Sequence, residues 1–69
     1  MPLAFMKIGD KNTIKKITGK DDTKRFLESL GFVVGTTVTV VSEIGGNMIL
    51  NIKDSRVALD KDMARRIVV

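Results

Sequence analysis

Apolar and polar positions change period several times along these 69 residues, and each change predicts a new element. Met6 and Ile8 flank Lys7, the alternation of a strand with one buried face. Gly9-Asp10-Lys11-Asn12 then supplies turn residues. Thr13–Thr18 is rich in β-branched residues and predicts a second strand. Its isoleucines, Ile14 and Ile17, stand three apart, which breaks strict alternation and implies a bulge or an edge position.

Gly19-Lys20-Asp21-Asp22 turns the chain into a short helix over about Asp22–Leu30. Asp21 or Asp22 suits the helix start, where a carboxylate accepts from unpaired N–H groups and meets the positive end of the dipole. Phe26, Leu27 and Leu30 form a narrow apolar stripe, with Thr23, Lys24, Glu28 and Ser29 outward. Gly31 follows as the residue able to take a left-handed C′ conformation, allowing Phe32 to fold back on the last turn. Gly35 then leads into a strand, Thr36–Ser42, with Val38 and Val40 on one face.

Gly45-Gly46-Asn47 offers the positive φ angles of a tight hairpin. The returning strand, Met48–Lys53, places Met48, Leu50 and Ile52 on one face. Asp54-Ser55 is a candidate turn, and Arg56–Leu59 alternates again. Asp60 is placed as the N-cap of a helical turn near Asp60–Arg65, and Ile67-Val68-Val69 closes the chain as a strand. The prediction is a mainly β chain whose short strands build a small, strongly bent or closed sheet with one inserted helix. Closure removes edge strands that invite aggregation. No repeat or linker marks a boundary, so one domain over residues 1–69 is expected.

Composition then narrows the chemistry. Neither Cys nor His is present, which leaves no disulfide framework, thiolate, imidazole base or nitrogen- or sulfur-ligated metal site. Asp10, Asp21, Asp22, Asp54, Asp60 and Asp62 are scattered over turns and helix starts, where they read as caps rather than ligands. No catalytic residue, cofactor or metal ligand is assigned. Twelve Lys and Arg against eight Asp and Glu give a charge of +4, a mildly basic surface suited to an acidic partner. Lys11, Lys15, Lys16 and Lys20 form the longest acid-free basic stretch. It is less dense than a dedicated nucleic-acid track, and the absence of Trp and Tyr argues against base stacking and against polyproline binding. Met1–Met6 has neither the length nor the flanks of a signal peptide or a membrane span, which predicts a cytoplasmic protein.

Leu27-Glu28-Ser29-Leu30-Gly31, then Gly35-Thr36-Thr37-Val38-Thr39-Val40, the Gly45-Gly46 hairpin, and Arg56-Val57-Ala58-Leu59 leading to Ala64 and Ile67-Val68-Val69 together resemble the FeoA family of ferrous iron uptake. The match runs from about Met6 to Val69. Two positions depart from it. Val34 stands where a proline is often found, and Phe32 where a smaller aliphatic residue is common. The resemblance implies a small SH3-like β-barrel with an inserted helix, and a non-catalytic accessory role. The implied partner is the cytoplasmic G-protein region of an FeoB-type membrane transporter. Similar modules form the C-terminal domains of iron-dependent repressors of the DtxR type. An isolated relative of that module, a nucleic-acid-binding module using the four lysines, or a homodimer are the alternatives.

From the residues themselves the expected docking surface is the helix–loop edge. Phe32, Val33 and Val34 lie between two glycines next to Lys24 and Arg25, an apolar cluster with a charged rim.

Overall fold

The structure, a computed structural model, describes residues 1–69. After a 3₁₀ turn at Leu3–Phe5 come strands β1 (Lys11–Thr13) and β2 (Lys16–Ile17), then helix α1 (Asp21–Ser29). Strands β3 (Thr37–Ile44), β4 (Asn47–Ile52) and β5 (Ser55–Asp60) follow, then helix α2 (Lys61–Ala64) and strand β6 (Ile67–Val68).

The spacing of Ile14 and Ile17 marks a strand that changes sheets. β1 pairs antiparallel with β3, so the first sheet runs β1-β3-β4-β5, while β2 pairs with β6 in a second sheet. Between them the backbone bends, yet its pairing continues. Ile14 N–H donates to Thr36 O at 2.9 Å and Lys15 N–H to Val68 O at 2.8 Å. The bend brings both isoleucines inward, with Ile14 1% and Ile17 9% exposed. The expected single strand Thr13–Thr18 is therefore two strands, and the broken alternation comes from the corner rather than a bulge. A bulge does occur in β3, where the register shifts between Val40 and Ser42 and Val41 is the extra residue.

Met6–Ile8 is not a strand. Met6 is buried, Ile8 is exposed, and Lys7–Asp10 closes a turn instead. Asp10 N–H donates to Lys7 O, and Asp10 Oδ2 accepts from Lys7 N–H, both at 3.0 Å. Consequently β1 starts at Lys11, inside the expected turn. The β4–β5 turn is also displaced by one residue. Ile52 pairs with Ser55, which leaves Lys53 and Asp54 as the turn.

The β3–β4 hairpin follows its turn chemistry. Ile44 pairs with Asn47, and the intervening Gly45 and Gly46 have φ of 56° and 82°. Positive φ at both central residues matches the right-handed twist of the flanking strands. Inward-facing residues of both sheets meet over one core that holds no buried polar or charged side chain. Val38 and Val40 on β3, and Met48, Leu50 and Ile52 on β4, contribute to it with Phe32 and Leu27. α2 turns the chain from the first sheet into the second. Asp60 caps it as expected, its Oδ1 accepting from Met63 N–H at 2.8 Å.

Candidate functional site

The helix–loop edge begins with a start that differs from expectation. Lys20 is the N-cap residue of α1, without a side-chain capping bond, and Asp21 and Asp22 lie inside the first turn. Their contribution is thus limited to the favourable field at the helix N-terminus. The helix end follows the expected motif. Phe32 N–H donates to Leu27 O at 3.0 Å and Gly31 N–H to Glu28 O at 2.9 Å. Gly31 has φ 103°. This pair of bonds is the Schellman arrangement, in which the residue after the left-handed position packs against the last helical turn. Phe32 and Leu27 are both fully buried.

Seating Phe32 in the core forces the next two side chains outward. Val33 is 42% and Val34 59% exposed. Their backbone is nonetheless tied down. Thr36 N–H donates to Val33 O at 3.0 Å, and Gly35 N–H to Ile14 O at 2.8 Å. Of the five residues assigned to the docking surface, Phe32 therefore supports it from beneath. Val33, Val34 and Arg25 are exposed, and Lys24 is half-buried. Neither cation takes part in an ion pair; the pairs are Lys61–Glu43 and Arg65–Asp62.

Sequence reasoning placed Phe26 on the buried stripe, and the structure places it outside at 49% exposure. Phe26 and Leu30, four apart, share a helix face, and Leu30 is half-buried. Phe26 on α1, and Val33 and Val34 in the loop after it, are thus the exposed apolar side chains of this segment, with Leu30 half-buried between them in sequence. The signal that could have found Phe26 is its adjacency to Leu27, since a nine-residue helix on a small barrel buries one of two neighbours and not both.

No group of three His, Cys, Asp or Glu residues is placed to hold a metal ion. The aspartates occupy the cap and turn roles expected of them at Asp10 and Asp60. Asp62 meets Arg65 at 3.3 Å. The four lysines Lys11, Lys15, Lys16 and Lys20 fall on β1, the bend, β2 and the start of α1 respectively. No helix is long and apolar enough to cross a membrane.

A model of the FeoA domain matches residues 1–69. The chain belongs to the FeoA family. A candidate Fe(2+) transport protein A of Methanocaldococcus jannaschii is 32% identical over 68 residues, covering 99% of this chain and 83% of that one. Among solved structures, an iron uptake regulatory protein, FeoA, is 33% identical and superposes with a TM-score of 0.88 over 96% of this chain and 88% of its own. The FeoA of Stenotrophomonas maltophilia, an SH3 domain protein complexed with zinc, is 27% identical. Its TM-score is 0.84, over 99% of this chain and 87% of its own. The SH3-like barrel expected of a FeoA protein is thus the fold found. A manganese-dependent transcriptional repressor shares that fold with 97% of this chain, using 39% of its own length (TM-score 0.88). At 23% identity the likeness is one of fold alone.

Proposed function

We propose that this FeoA protein is a non-catalytic accessory of ferrous iron uptake that docks on the cytoplasmic G-protein region of an FeoB-type transporter. Family membership supports the iron-uptake setting. The observation that carries the docking mode is the Val33-Val34 pair, held outward on a hydrogen-bonded loop while Phe32 anchors it from within. An apolar edge on a rigid backbone loses little conformational entropy on binding, and this favours protein recognition. Arg25, exposed and unpaired, supplies charge at the rim, where it steers encounter more than it adds affinity. The chain contributes no reactive group to this edge; its contribution is shape.

The experiment is capture of the purified G-protein region, and separately of the full-length transporter, by wild type, Val33→Asp and Arg25→Glu. Val33→Asp is expected to weaken capture about tenfold or more, as for a central apolar contact. Arg25→Glu is expected to slow association and to reduce its salt dependence. Equal capture by all three folded proteins would place the contact elsewhere. Failure of wild type to bind the transporter at all would end the proposal.

A further inference from the structure

The one cleft in the molecular surface adjoins the helix–loop edge at Thr36 and extends from there across the sheet. It opens on the outer face of β1, β3 and β4, has a volume of about 320 Å³, and is lined by Lys11, Thr36, Thr37, Thr39, Asn51 and Lys53, with no apolar side chain. Small-molecule pockets of roughly 300–1,000 Å³ are usually lined mostly by apolar groups. This cleft is built of two ammoniums, three hydroxyls and an amide, all able to donate hydrogen bonds.

Strand register brings the donors together. Lys11 pairs with Thr39, and Thr39 with Asn51, so the three stand in one cross-strand row. Val38 points into the core, fully buried, which turns its neighbours Thr37 and Thr39 outward. Lys53, two residues beyond Asn51, closes the far side. With strands about 4.8 Å apart and a two-residue stagger along them, the two lysines straddle β3 with Cα atoms roughly 12 Å apart, a gap their flexible stems can narrow. No carboxylate lines the cleft, and neither Lys11 nor Lys53 is ion-paired.

A second observation concerns the backbone of Lys53. It is the sole non-glycine residue with positive φ, at 52°. It occupies the first position of a two-residue hairpin turn, where Gly, Asn or Asp is favoured. A lysine there is a poorer choice for folding, and such outliers collect where a side chain has a task.

We infer that the Lys11–Thr39–Asn51–Lys53 face is a binding site for an oxyanion of the phosphate class. The ammoniums supply charge, and the hydroxyls and amide bond the remaining oxygens. An elongated polyphosphate reaches both lysines at once, whereas a single phosphate leaves one of them unsatisfied. The two surfaces share no side chain but adjoin at Thr36, whose N–H donates to Val33 O; substitutions at Lys11 and Lys53 address the cleft without touching Val33 or Arg25.

The test is titration of the ¹⁵N-labelled full-length chain with inorganic phosphate and with pyrophosphate, at ionic strength held constant with chloride. Saturable shifts centred on Thr37, Thr39, Asn51 and Lys53 are expected, with pyrophosphate about tenfold tighter than phosphate. Lys53→Asn is expected to weaken pyrophosphate about tenfold while leaving the Tm unchanged or higher, and Lys11→Gln to weaken it similarly. Lys15→Gln should leave the titration as in wild type. Linear shifts matching those in chloride would overturn the assignment. So would a shift map centred on Lys15, Lys16 and Lys20, which signals a diffuse track, or a Lys53→Asn protein that melts earlier and titrates normally.

Discussion

Replacing Gly31 by alanine isolates the conformational term that holds the helix–loop edge. A β-carbon at Gly31 would meet only Ile52 Cγ2, at 3.8 Å, an ordinary contact. No steric overlap contributes, and the cost is that of forcing an L-residue to φ 103°, about 1–2 kcal/mol. A chain of this length has a total stability of roughly 3–10 kcal/mol, so the loss is a substantial share. It corresponds to a fall in Tm of about 5–15 °C for a domain of this size. Urea unfolding of wild type, Gly31→Ala and Gly31→Asn measures it. Asn, which tolerates left-handed conformations better, is expected to lose less than Ala. Because Phe32 takes its position from the bond to Leu27 O, Gly31→Ala should also weaken transporter capture in parallel with stability. A destabilisation below about 0.3 kcal/mol, or equal losses for Ala and Asn, would refute the account of this turn.

Phe32→Ala is expected to cost about 3–5 kcal/mol, whereas Val33→Ser should stay within about 0.5 kcal/mol of wild type; denaturant midpoints distinguish the two. Asp60→Ala removes the cap of α2 and should cost about 1 kcal/mol, with Asp60→Asn retaining most of it. Glu43→Gln breaks the pair with Lys61, both partners partly exposed, and is expected to change unfolding free energy by less than about 1 kcal/mol, the difference shrinking in high salt.

The elements most legible in the sequence are those whose signals are local. The Gly31 stop, the Gly45-Gly46 hairpin and the Asp60 cap each satisfy backbone groups within a few residues, and all three stand where expected. The core face of β4 was legible too, because Met48, Leu50 and Ile52 alternate against exposed Asn51. What was not legible depends on distant partners. The corner between β1 and β2 exists because β3 and β6 claim successive parts of one segment; the Ile14–Ile17 spacing signals an interruption but does not say which partners cause it. Met6 and Ile8 alternate like a strand, but Met6 ends the 3₁₀ turn and the Asp10 carboxylate closes the next turn at Lys7–Asp10. The helix–loop site was half visible. Three apolar residues between two glycines could not all be buried, yet which one sank was decided by the Schellman bond. Phe26 was lost to the stripe because helical period alone does not say where a small barrel's surface ends.

The corner at Ile14-Lys15 has a kinetic consequence. It commits β2 to a partner some fifty residues away, since Ile17 pairs with Ile67, while β1 waits for β3. Such pairings close large loops before any energy is returned, and they place folding on the millisecond-to-second scale rather than the microseconds of helical bundles. The second sheet cannot zip until residues 67 and 68 have left the ribosome. Until then Ile17 has no strand to cover it, and one wall of the core stays open to water.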